Sequence, residues 1–193
     1  MYNNNWNTSW NYRKSNKGVL VKYSAGILPY SFNQDGKLFF LLGKDHENDW
    51  SDFGGRCEFK DNGSPVNTAS REFYEESLGA VMSISDTISK LNNIPESLKI
   101  VSKTLNGSPY YMYLVYVDYL NYSESFSKTN NFINYSLEKT QINKLVEKNA
   151  IRWFSIDTLL NCIENESNCI LLRGVFYRTI SEFKESLVFL NRN

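Results

Sequence analysis

Residues 110–119 read YYMYLVYVDY, and no other stretch narrows the choice of fold so far. Aromatic and β-branched side chains fit a pleated, packed surface and are poor helix formers. Alternation sets Tyr111, Tyr113 and Tyr119 on one face of this strand and Tyr110 and Tyr116 on the other. Residues 38–43 form a second strand, apolar enough to be buried on both faces. An extended stretch at 19–32 leads into it through Asn33-Gln34-Asp35-Gly36, whose Asp-Gly pair signals a hairpin. Further strands are expected at 98–103 and 150–154. The Gly54-Gly55 pair marks a bulge or a close backbone approach. Helices are expected at 64–78, 137–148 and 170–190, with a short turn from Ser155 or Asp157, while 120–135 reads as a loop. Ser64 caps the first helix, Pro65 suits its first turn, and Gly79 suits its end. Val66, Ala69 and Phe73 would face the core, as would Val175, Ile180, Phe183, Leu187 and Leu190 near the C-terminus. The class is therefore α/β (α+β), a mixed sheet covered by helices on both faces.

The 193 residues suit one domain. With 21 basic and 21 acidic side chains, the chain is not built as a dedicated polyanion binder. A local basic groove on a neutral protein leaves RNA open. No apolar run is long enough for a membrane helix. Cys57, Cys162 and Cys169 are odd in number and lack C-x-x-C spacing, so buried or idle thiols in a reducing compartment, the cytoplasm, are expected. His46, the single histidine, cannot build a multi-histidine metal site and reads as a surface residue, with a substrate contact as the alternative. Residues 1–17 are Asn-rich and polar, which suggests a disordered arm, or a docking arm carrying Trp6, Trp10 and Arg13. The domain proper would span 18–193, with an insertion at 120–149.

The chemistry is concentrated in Arg71-Glu72-Phe73-Tyr74-Glu75-Glu76. On a helix, Glu72, Glu75 and Glu76 fall within an arc of about 100°, with Phe73 pointing elsewhere. Three crowded carboxylates repel one another unless water or cations offset the charge, and hard oxygens of this kind suit Mg²⁺ or Mn²⁺. A solvated acidic face is the plain alternative.

Together with Gly55 upstream, this stretch resembles the signature of the Nudix (MutT-like) hydrolases, G-x5-E-x7-R-E-U-x-E-E-x-G-U, where U is a bulky apolar residue. Gly55 matches the first glycine, and Arg71, Glu72, Phe73, Glu75 and Glu76 match the second half. Residues 24–28, 38–43 and 151–159 resemble the family's first strands, last strand and following helix. The sequence departs from the pattern twice. Fifteen residues, 56–70, separate Gly55 from Arg71, where the motif has thirteen. The loop glutamate is therefore replaced by Asp61, supplied by Glu58, or missing. Leu78 stands at the motif's last glycine position, with Gly79 one residue later.

The resemblance implies a Nudix-type α/β/α sandwich and a Mg²⁺- or Mn²⁺-dependent pyrophosphohydrolase. Its substrate would be a nucleoside diphosphate linked to another group: a nucleotide, dinucleotide, nucleotide sugar or RNA cap. It implies metal held by Gly55, Glu72, Glu75 and Glu76, with Glu72 and Glu75 catalytic and Arg71 orienting a helix glutamate. The general base would be a helix glutamate or one of Glu124, Glu138 and Glu147. Trp50, Phe53, Arg56 and Glu58 are candidate substrate contacts, the aromatic pair by stacking on a base or else as core residues. The alternative is a catalytically weak Nudix-fold module that binds nucleotides or regulates.

Overall fold

The computed structural model describes residues 22–164 and 170–190. The proposed arm at 1–17 and Cys169 lie outside these. Strands β1 (Ser24–Phe32), β2 (Leu38–Asp45), β3 (Trp50–Ser51), β4 (Phe53–Arg56), β5 (Lys99–Lys103), β6 (Pro109–Tyr116) and β7 (Lys148–Ser155) form one mixed seven-stranded sheet. Its main path is β3-β2-β1-β6-β5, with β4 on β1 and β7 on β2. The YYMYLVY strand is β6, and it runs parallel to β1 from Ser24↔Tyr110 to Tyr30↔Tyr116.

The other edge of β1 is shared. Ser24–Ile27 pairs antiparallel with β4, and Tyr30–Phe32 pairs with β2. Pro29, which has no N–H to give to a ladder, lies at the changeover. This split sets β4 apart from β2, and β4 carries the two glycines. Gly26 and Gly54 bring β1 and β4 together backbone on backbone: a Cβ on Gly26 would lie 2.6 Å from the Phe53 carbonyl oxygen and 2.8 Å from Gly54 Cα. Gly26→Ala is expected to lower stability by about 1–3 kcal/mol through overpacking, read as a lower urea midpoint with unchanged slope. An unshifted midpoint would show that the two strands can separate without cost.

Helices α1 (Pro65–Glu76), α2 (Ile84–Asn92), α3 (Tyr122–Ser136), α4 (Lys139–Leu145), α5 (Ile156–Glu164), α6 (Gly174–Glu182) and α7 (Lys184–Leu190) flank the sheet. One core contains Tyr110, Met112 and Leu114 with Leu159, Phe176, Ile180 and Leu187 of α5–α7. The other contains Tyr113, Val115 and Val117 with Ala69, Phe73, Leu91 and Phe126 of α1–α3. The strand alternation expected for 110–119 thus divides the two cores, and the architecture is the expected helix–sheet–helix sandwich.

Four expectations need correction. Residues 120–135 are not a loop: α3 buries Tyr122 and Phe126, spaced i and i+4, and most of its Ser and Asn positions face water. The helix expected over 170–190 is two, α6 and α7, with Phe183 as the C-cap between them. Helix α1 stops at Glu76, because Leu78 and Gly79 both take positive φ, 52° and 67°. Cys162 is disulfide-bonded rather than an idle thiol. An odd count does not exclude one bridge, and a disulfide persists in oxidising surroundings, so the cysteines give no support to a reducing compartment. No helix among the described residues is long and apolar enough to cross a membrane.

Candidate active site

Ser64 starts α1 by accepting the Asn67 N–H at 3.3 Å, with Pro65 at the first helical position. The last turn and a half of this helix carries the acidic stretch. Its organiser is Arg71, buried, with all five guanidinium N–H donors used. Nε and Nη2 grip Asp61 Oδ1 and Oδ2 at 2.9 and 3.0 Å. Nη1 donates to Glu72 Oε1 and Glu75 Oε2, both at 2.9 Å, and Nη2 also donates to the Arg56 carbonyl at 2.9 Å. Burial opposes the Arg71 charge, yet the surrounding Asp61, Glu72 and Glu75 hold its pKa above the ordinary value.

Asp61 closes a short 3₁₀ turn between β4 and α1, and Asn62 and Gly63 then reverse the chain with φ of 54° and 71°. It also accepts the Glu58 N–H at 2.8 Å and the Thr68 hydroxyl at 2.9 Å. Burial pushes this carboxyl up, but Arg71, the Glu58 N–H and Thr68 outweigh burial and hold it below the usual range. The loop acid that grips Arg71 is Asp61, the position reached by counting forward from Gly55. Glu58 is exposed and only brushes Arg71, at 3.7 Å.

The three helix glutamates differ in surroundings. Glu72 is buried, and its Oε2 has no partner among the described residues. Its carboxyl lies against Gly55, so that a Cβ there would fall on the carboxylate. Burial pushes its pKa to about 7 against the pull of Arg71, and Glu147 and Glu75 add to the rise. Glu75 is half-exposed and shared between Arg71 and Lys60, the latter at 3.2 Å. Glu76 is buried: Oε2 accepts the Gly54 N–H at 2.8 Å, and Oε1 lies 3.5 Å from Lys148 Nζ. Burial pushes it to about 8, although Lys148 opposes the rise. Among the described residues, the acidic trio whose oxygens all lie within 4.8 Å of one another is Asp45, Glu47 and Asp49, in the β2–β3 loop. Asp45 Oδ1 there accepts the loop's own Glu47 and Asp49 N–H groups. The helix glutamates are paired with cations instead, Glu72 and Glu75 with Arg71 and Glu76 with Lys148.

A dication fits one part of this donor set. Glu72 offers a hard oxygen with no partner among the described residues, in a cradle that only glycine leaves open, and Glu75 stands beside it at the surface. Both buried glutamates titrate above the ordinary 4.5, so the folded chain binds more protons than the unfolded one between about pH 4.5 and about 8. The sign is that stability falls as pH rises through this window. The melting temperature of metal-free protein is expected to drop from about pH 6 to about pH 9, and saturating Mg²⁺ should flatten the lower part of that slope by replacing the Glu72 proton. A melting temperature that climbs over this range would contradict the assignment of burial as the cause.

Behind Gly54 lies a second polar group that the sequence reading missed. Lys148, 1% exposed, donates to Ser51 Oγ at 2.8 Å and reaches Glu76. Asp52 next to it accepts a short hydrogen bond from the Tyr110 hydroxyl. Burial holds the Asp52 carboxyl above its usual range, although Tyr110, Lys148 and Arg173 pull it down. Asp52 and Tyr110 form part of the lining of a cleft of about 550 Å³, with Gly54 and Gly55 on one side and the exposed cations Lys22, Arg56 and Arg173 around it. Thr104, Asn106 and Ser108, from the β5–β6 hairpin, also line it.

Of the expected substrate contacts, Arg56 lines this cleft and Glu58 does not. Trp50 and Phe53 are core residues: Trp50 packs edge-on against Phe154 at 4.8 Å, and Phe53 against Phe73 at 5.3 Å. Neither shows a face for a base, because the β3–β4 step turns both rings inward. His46 tethers its loop to the Val146 carbonyl at 2.8 Å. Of the three candidate bases, Glu124 pairs with Lys128 at 2.7 Å and Glu138 caps α4. Glu147, exposed at the entry to β7, is the one whose charge acts on Glu72.

No protein-family model matches the sequence, and no curated protein matches it. Solved structures do. A Nudix hydrolase of M. smegmatis, RenU, aligns at 14% identity and a TM-score of 0.46, over 88% of each chain. The Nudix domain of Shewanella oneidensis NrtR, solved with ADP ribose, aligns at 12% and 0.48, over 86% of this chain and 87% of that one. A C. elegans Ap4A hydrolase aligns at 14% and 0.46, over 86% and 98%. The likeness is to the Nudix fold. With TM-scores under 0.5 it carries no weight for activity, which has to be judged from this chain's own side chains.

Proposed function

We propose that the chain is a Mg²⁺- or Mn²⁺-dependent hydrolase of a diphosphate bond, acting on a nucleoside diphosphate linked to another moiety. One observation carries this reading. Glu72, which Arg71 positions, lies against Gly55, and Gly55 also lines the cleft that carries Lys22, Arg56 and Arg173, so the metal-binding edge and the anion-binding hollow would share one backbone segment.

Glu72 and Glu75 would hold the metal, with the Gly55 carbonyl; when bound, it would neutralise phosphate charge and acidify a water. The protein's own groups account for the rest. Arg71 fixes the two glutamates with a rigid fork of donors, a positioning role. Lys22, Arg56 and Arg173 offer charge to the phosphate oxygens. Glu147, exposed and near enough for its charge to act on Glu72, would take the proton of the attacking water. The hairpin residues Thr104, Asn106 and Ser108 would hydrogen-bond the group beyond the diphosphate.

The test is a discontinuous assay over nucleoside triphosphates, dinucleoside polyphosphates, nucleotide sugars and capped RNA, in Mg²⁺ and in EDTA. Metal-dependent release of a nucleoside monophosphate from one class is the expected result. Tight nucleotide binding with no turnover in any metal would favour a binding module instead.

A further inference from the structure

The lysine behind Gly54 is harder to explain than any acid in the site. A lysine is almost never fully buried unless it is paired, because removing an ammonium from water is costly. Three independent features of the chain bring this one inward. Strand β7 carries an extra residue where Lys148 enters: Asp45 pairs with Lys148 and Lys44 with Ala150, with a register shift between them. Such a bulge re-aims a side chain. Gly43 then leaves room for the stem, since a Cβ there would lie 3.0 Å from Lys148 Cγ and Cδ. Ser51 finally receives the ammonium at 2.8 Å. The result is that both oxygens of Glu76 are taken, one by the Gly54 N–H and one by the lysine.

We propose that Lys148 is a fixed cation built into the acidic site, which occupies Glu76 and withholds it from metal, leaving dication binding to Glu72 and Glu75. This rests on the metal-site reading above and changes it in one respect: the charge that a further dication would bring at the inner end of the site is supplied by the protein. The inner glutamate then serves to anchor β4 to α1 and β7.

The experiment titrates the whole chain with Mn²⁺ alone and follows free Mn²⁺ by its paramagnetic resonance signal. Lys148→Met keeps the stem and removes the charge, exposing Glu76 to metal. The variant is expected to bind one more Mn²⁺ than wild type, or to bind it at least about tenfold tighter, a lower bound for removing one unit charge a few ångströms from a dication. In the double variant Lys148→Met/Glu76→Gln, the gain should vanish. That protein also lacks both buried charges, which is commonly near neutral for stability. Where Lys148→Met does not fold alone, folding upon Mn²⁺ addition is the expected result, because metal that binds only the native state stabilises it.

Equal Mn²⁺ binding by wild type and Lys148→Met would overturn the proposal and leave the functional reading standing. So would a gain that survives in the double variant, or a Lys148→Met protein that stays unfolded in Mn²⁺; each would make the lysine a purely structural ion-pair partner. Binding by Lys148→Met but not by wild type would uphold the part assigned to Lys148 and overturn the functional reading, and with it the part assigned to Glu72 and Glu75.

Discussion

Arg71→Met is expected to destabilise the protein by about 3–5 kcal/mol, the scale for removing one partner from a buried ion pair. The variant deletes five donors at once and leaves Asp61 and Glu72 buried without their countercharge. Arg71→Lys should recover little of this, because one ammonium cannot reach Asp61, both glutamates and the Arg56 carbonyl together. Urea unfolding of wild type, Arg71→Met and Arg71→Lys measures both differences. The effect also has a pH signature. Asp61 is held below its ordinary pKa, so its contribution is complete above the ordinary carboxylate range and is lost as pH falls through the folded value. The gap between wild type and Arg71→Met should therefore narrow in acid. A gap that is small at neutral pH, or that widens on acidification, would show that Arg71 is not the keystone of this helix end.

How much of this was legible in the sequence depends on how far apart in the chain the partners lie. The acidic helix was legible because its signals are local: Ser64 and Pro65 at one end, and apolar positions at helical spacing with Arg71 and the glutamates on other faces. The two cores could be foreseen from the alternation in residues 110–119. Asp61 emerged as one of three possibilities from counting, and only the fold of the 3₁₀ turn selects it. Lys148 could not be found, since its partner Ser51 is 97 residues away and the bulge that aims it is a property of the β2–β7 pairing. Tyr110 and Asp52, 58 residues apart, are joined in the same way by the sheet. Residues 120–135 misled because a helix with only Tyr122 and Phe126 buried shows almost no apolar period. The break at Phe183 is likewise hidden, because apolar residues continue at helical spacing on both sides of it.

Glu72→Gln is expected to have the largest effect on activity, a fall of about 10²–10³ in kcat, the range for losing one electrostatic stabiliser of a developing anionic transition state. The substitution keeps the shape, so the amide should still sit in the Gly55 cradle, but of the three α1 glutamates it removes the charge of the one with an oxygen free of partners among the described residues. Stability should move the other way. Glu72 is buried with a pKa of about 7, so near neutral pH its ionised form is a burden on the fold, and the neutral amide relieves it. The expected pair of results is thus a melting temperature equal to or above that of metal-free wild type, together with nearly abolished turnover and weakened Mn²⁺ binding. Glu75→Gln provides the contrast: half-exposed and shared with Lys60, it should impair metal binding without any gain in stability. If Glu72→Gln retained turnover within about threefold on the best substrate, far short of that 10²–10³ range, the carboxylate at Gly55 would not be the group that holds the metal. The catalytic reading of the whole acidic helix would then fall with it.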